Sequence, residues 1–90
     1  LIQDYSNVKT YVKPNPAEEK MDIILSAGVK GDIELQVFSS LGGVILSTDI
    51  IKKGIETSYE MDVSSLSNGV YFYNFTKNGK SIADGNFVKK

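Results

Sequence analysis

The 90-residue sequence contains no cysteine, no histidine and no tryptophan, and all ten of its basic residues are lysine. Without cysteine, disulfide stapling is impossible and the fold must stand on its core; a cysteine-free domain of this kind fits a periplasmic or surface protein. Without histidine or cysteine, the commonest ligands of zinc, copper and haem iron are missing, as are the Ser-His-Asp and Cys-His catalytic arrangements. Without arginine, the chain lacks the side chain best suited to reading guanine or clamping phosphate. Ten Lys against eleven Asp and Glu leave a net charge of -1, which gives no electrostatic pull toward nucleic acid. No stretch approaches the roughly 20 apolar residues of a membrane helix, and the first residues lack the basic and then apolar pattern of a signal peptide. Residue 1 is Leu rather than Met, which reads as a piece of a longer chain.

Hydrophobic residues make up 41% and charged residues 23%, ordinary values for a globular domain. The length allows a single domain with a radius of gyration of about 12 Å and a thin core. Periodicity is almost entirely of period two. Met21, Ile23 and Leu25 alternate with Lys20, Asp22 and Ile24, and Ile33, Leu35 and Val37 alternate with Asp32, Glu34 and Gln36. Further strands are predicted at Val8 to Lys13, Val44 to Ile50, Thr57 to Met61, Val70 to Thr76 and within Lys80 to Val88, about seven in all. No segment holds a helical pattern over three turns.

Gly28 to Gly31, Gly42-Gly43, Lys53-Gly54, Ser67-Asn68-Gly69 and Asn78-Gly79 fall between the apolar runs, where turns need residues that tolerate positive φ. Asn78-Gly79 predicts a two-residue type I′ hairpin. Strands every 8 to 12 residues with no helices between them point to an all-β, immunoglobulin-like antiparallel β-sandwich, with a small barrel as the alternative. In Leu66-Ser67-Asn68-Gly69-Val70-Tyr71 a Tyr opens a strand just after a corner, where immunoglobulin-like sandwiches bury a ring and bond its hydroxyl to backbone a few residues upstream. That phase turns Tyr71, Tyr73 and Phe75 inward and Phe72 and Asn74 outward. The uncharged run Val70 to Phe75 is an aggregation hazard at an edge, so it is expected in the middle of its sheet.

In order along the chain come Pro14-Asn15-Pro16-Ala17 before a strand, Val37-Phe38-Ser39-Ser40-Leu41-Gly42 running into a turn, Leu66 with Gly69-Val70-Tyr71, and a closing Phe87-Val88-Lys89-Lys90. In this order and spacing the chain resembles the C-terminal sorting domain of the type IX secretion system of Bacteroidetes, over about Val8 to Lys90. Two departures stand out. Ser39 occupies the place where that family usually has Asp, and Asn86 stands where it often carries Lys. The resemblance implies delivery rather than catalysis, with no cofactor. An upstream cargo crosses the inner membrane on its own signal peptide and folds in the periplasm. It is then recognised through this domain by the outer-membrane translocon, and commonly cut free by a surface sortase to be released or attached to lipopolysaccharide. Residues 1–7 would be the linker to that cargo, and Pro14, Asn15, Pro16, Ala17, Gly42, Leu66, Gly69, Tyr71, Phe87, Val88, Lys89 and Lys90 the signal motif.

Each motif also has a reading that needs no partner. Pro14 and Pro16 end one strand and redirect the chain before the next. Gly69 and Tyr71 serve the corner, and Lys89 and Lys90 read on their own as a solvated tail. Asp62 with Ser64 and Ser65 offers at most a loose calcium site, and the carboxylates show no EF-hand pattern. Two other functions stay open: a carbohydrate-binding or adhesive module, favoured if Phe72 and a Tyr are exposed side by side, and a fibronectin-type structural spacer.

Overall fold

A computed structural model describes residues 8–90; the expected linker, residues 1–7, lies outside the described residues. Seven strands follow one another: β1 (Lys9–Lys13), β2 (Lys20–Ser26), β3 (Gly31–Ser39), β4 (Val44–Lys52), β5 (Glu56–Asp62), β6 (Gly69–Lys77) and β7 (Lys80–Lys89). In one sheet β2 lies between β1 and β5; the other runs in the order β4, β3, β6, β7, and every strand pair is antiparallel. The two sheets face each other as an immunoglobulin-like sandwich, and no helix occurs among the described residues. β6 sits between β3 and β7, so the uncharged run Val70 to Phe75 is paired on both sides.

The strands form where alternation is cleanest. In β3 the side chains of Ile33, Leu35 and Val37 are buried while Asp32 is exposed. Met21, Ile23 and Leu25 of β2 face them, and the same phase continues through the crossing between sheets, where Ala27 and Val29 are also buried. Met61, Tyr71, Tyr73, Phe75 and Phe87 complete the core, with Phe72 exposed as its phase requires. Ile24 breaks the alternation of β2. It is buried although it is out of phase with the core residues, and it pairs with Tyr11 on one side and Ser58 on the other. Asn78 (φ 53°) and Gly79 (φ 79°) form the two-residue turn between β6 and β7, which closes on the pair Lys77 and Lys80.

Two polar groups tie the layers together. Tyr73 reaches across the sandwich to Thr10 of β1, with the two hydroxyl oxygens 2.9 Å apart. Thr10 gives its own proton to the Ile24 carbonyl at 2.8 Å, so the phenol is the donor between them. The Tyr73 ring passes directly over Gly85, its partner in β7: a Cβ at position 85 would come within 2.9 Å of three Tyr73 atoms. Lys52, 1% exposed at the end of β4, donates from Nζ to the carbonyls of Ala27 and Gly54. The alternation of β4 turns this residue inward, and its aliphatic stem packs as an apolar side chain would. Desolvation, reinforced by Lys30, holds its ammonium below the ordinary value of 10.5.

Gly85→Ala should destabilise the domain by about 1–3 kcal/mol, because the added methyl meets a ring locked in the core; urea unfolding at neutral pH measures it. Burial pushes the Tyr73 phenol above its ordinary value of 10.0. The folded state therefore keeps this proton after the unfolded chain has lost it, so the group does not affect stability below pH 10 and lowers it as pH rises further. Between pH 9 and 11, stability of Tyr73→Phe should fall less steeply than that of the parent chain in paired urea melts.

Candidate recognition site

In an up-and-down antiparallel chain, alternate connections emerge at the same end. The β1–β2, β3–β4 and β5–β6 connections and the tip of β7 share one end of this sandwich, and all twelve residues singled out above lie there. The opposite end carries the β2–β3 crossing, the β4–β5 connection and the Asn78-Gly79 turn.

Pro14-Asn15-Pro16-Ala17 and Phe87-Val88-Lys89-Lys90, far apart in sequence, are locked together. Ala17, fully buried, forms a parallel bridge with Lys89: its N–H donates to the Val88 carbonyl at 2.8 Å, and its carbonyl accepts from the Lys90 N–H at 2.8 Å. Asn15 Oδ1 accepts a third bond, from the Val88 N–H at 3.0 Å. The end of β7 is thus paired on both sides, with β6 through Gly69 and Val70 and with the Pro-Asn-Pro-Ala segment. The peptide bonds preceding Pro14 and Pro16 are both cis. Beside them Pro14, Pro16, Glu18, Glu19 and Lys20 line a shallow groove of about 470 Å³.

The corner next to this clamp has the expected form. The Tyr71 hydroxyl donates to the Ser67 carbonyl at 2.5 Å, and its ring stacks on Phe87 with centroids 5.4 Å apart and planes at 15°. Leu66 packs on the core, and its N–H donates to the Val63 carbonyl at 3.0 Å. Gly69 has φ 151°, beyond the range open to most side chains. Ser39 Oγ accepts from the Gly43 N–H at 3.2 Å, the capping bond that an Asp would make, while Gly42 takes φ 93° in the same turn. Asp62 turns back on its own loop. Its Oδ1 accepts from the Ser64 hydroxyl at 2.7 Å and the Ser64 N–H at 2.9 Å, and these bonds hold its carboxyl below the ordinary value of 3.8.

Lys89 departs from the solvated-tail expectation. It is only 7% exposed, and its Nζ donates to the Lys90 carbonyl at 3.1 Å. Strand phase is the reason: with Phe87 inward, Lys89 must also turn inward, and it extends its stem toward the open end of the sandwich. Lys90 is exposed. Phe72 is exposed as expected, but its cross-strand neighbours are Phe38 and Asn86 rather than a Tyr; of the residues lining the groove beside Phe72 and Phe38, Tyr73 is 3% exposed, so Phe72 and a Tyr are not exposed side by side.

Sequence reasoning passed over Ala17 as a structural residue, Gly85 as the seat of Tyr73, and Lys52. A glycine inside a strand pattern marks close approach of another group, and that signal could have found Gly85. Tyr71→Phe should cost about 1–2 kcal/mol by leaving the Ser67 carbonyl without its donor, with the ring packing on Phe87 intact; thermal unfolding followed by near-ultraviolet circular dichroism separates the two effects.

A protein-family model described as the secretion system C-terminal sorting domain matches residues 11–90. None of the curated proteins matches the chain. The match begins inside β1, takes in every motif of the shared end and runs through Lys90, and by it the chain belongs to the family of type IX secretion C-terminal sorting domains.

Proposed function

We propose that the type IX outer-membrane translocon recognises this domain as a folded body, through the end where Pro-Asn-Pro-Ala clamps the last strand. Family membership supports a sorting signal that directs export to the cell surface or medium. The finer steps are this reading's own. The upstream cargo and this domain fold in the periplasm, the shared end docks on the translocon, and a surface sortase then cuts the cargo free, to be released or joined to lipopolysaccharide. The domain's task is delivery rather than chemistry on a substrate.

The observation that carries the reading is the triple hydrogen bond between Asn15, Ala17 and the backbone of Val88 and Lys90. It joins the two most distinctive motifs into one surface, with the exposed Lys90 beside the groove lined by Glu18, Glu19 and Lys20. Because Lys89 is buried, Lys90 is the terminal lysine of the motif that is exposed to a partner. Lys13, Lys20 and Lys90 are the exposed cations of this end, beside Glu18 and Glu19, and such a mixed charge pattern suits a partner surface of complementary pattern.

The test is a secreted reporter fused upstream of this domain in a type IX-competent host. Deleting residues 87–90 removes Phe87 from the core together with the clamp, and secretion should be lost. Lys90→Glu keeps every backbone bond and should leave the melting temperature unchanged while secretion falls at least roughly fivefold, as expected when a charge opposes a complementary surface. Undiminished export of both variants would sink the proposal.

A further inference from the structure

The sandwich has four edge strands: β1 and β5 in one sheet, β4 and β7 in the other. An edge strand offers unpaired N–H and C=O groups to any passing strand, and native proteins blunt such edges with charges, Pro or cover. Three of the four carry two or more exposed charges. β1 carries Lys9 and Lys13, and β5 carries Glu56, Glu60 and Asp62. β7 carries Lys80 and Asp84, and its tip is covered by Ala17. β4 is different. It has no Pro and one exposed charge, Asp49, with Lys52 turned inward, and Ile45 and Ile51 are 38% and 64% exposed. Ile45 is the extra residue of a β-bulge, skipped between Val44, opposite Phe38, and Leu46, opposite Val37, and the ladder with β3 is regular from Leu46 to Lys52.

We infer that β4 is the seat of a symmetric antiparallel pairing between two copies of this domain, centred on Thr48. The strand's own pattern selects both the partner and the register. Directly opposed residues in an antiparallel pair share a face, so a two-fold seam must bring inward residues to inward ones and outward to outward, which requires the axis to pass through a residue. An axis through Asp49 sets two carboxylates face to face, and an axis through Ser47 sets Asp49 against Ile45; both are unfavourable pairings. An axis through Thr48 opposes Ile45 with Ile51, Leu46 with Ile50, and Ser47 with Asp49. Apolar then meets apolar on both faces, and Asp49 meets Ser47, whose hydroxyl donates to Glu34 of β3 at 3.1 Å. Ile45-Leu46-Ser47-Thr48-Asp49-Ile50-Ile51 is close to a palindrome in chemical type, which a strand selected for a different partner has no reason to be. The product is a continuous eight-stranded sheet across two copies, since each copy contributes four strands. Ala17 and Lys90 pair at the β7 edge, the edge of the sheet opposite the seam.

A single strand-to-strand seam is small, so association should be weak, with a Kd on the order of 0.1 mM. Sedimentation equilibrium of the 90-residue chain over a concentration series should show monomer and dimer. Ile45→Lys with Ile51→Lys places like charges opposite each other twice across the seam and should weaken the dimer at least roughly tenfold. Ile45→Lys with Ile51→Glu places opposite charges in those same two positions and should restore affinity to near the parent value. Neither side chain belongs to the core, so in dilute solution, where all three chains are monomeric, they should share one melting temperature. The inference is overturned if the parent chain is monomeric up to roughly 1 mM, where a seam of this size should be populated, which would leave the edge to another protein's strand. It is equally overturned if the like-charge variant dimerises as well as the parent, or if the opposite-charge variant fails to recover.

Discussion

One side-chain phase, kept turned inward while the chain passes from one sheet to the other, is the constraint on which this domain depends. Met21, Ile23, Leu25, Ala27, Val29, Ile33, Leu35 and Val37 all point into the space between the sheets, and the beat does not break where the strand does. A slip of one residue anywhere in this run would turn an entire strand inside out. Lys52 guards the crossing: its ammonium bonds the carbonyls of Ala27, in the crossing, and Gly54, in the β4–β5 connection. A buried cation held by two backbone oxygens is a costly device, and its position at the crossing explains its use: there the backbone leaves both ladders and its carbonyls lack strand partners.

Function follows from the same geometry by way of chain direction. Strands that run alternately up and down send every second connection to one end, so motifs spaced through 90 residues become neighbours without any local signal that they should. The clamp turns that neighbourhood into a surface. Asn15 and Ala17 supply to Val88 and Lys90 the hydrogen bonds an additional strand would, and the Tyr71 ring supports the same strand from within by stacking on Phe87.

Much of this was legible in the sequence, because much of it is local. Period-two alternation placed all seven strands to within a residue or two, and Asn78-Gly79 announced its turn. Leu66 to Tyr71 announced the corner hydrogen bond, and Ser39 kept its capping role in place of an Asp. What stayed hidden depends on register between distant strands. Gly85 looks like an ordinary strand glycine until Tyr73 is laid over it. Lys52 and Lys89 count as polar in any pattern, yet their phase turns them inward and their long stems make burial tolerable. Ala17 is a small residue after a proline, and only the partner it meets, more than seventy positions later, makes it structural.

That separation has a temporal meaning. The bond from Val88 to Asn15 spans 73 positions, a long-range closure. It cannot exist until the final strand has been synthesised and has docked against β6, whatever the state of the rest. The clamp therefore forms only in a chain that has reached β7: a chain stalled before it can display the Pro-Asn-Pro-Ala segment, but not the surface that the segment makes with its distant partner.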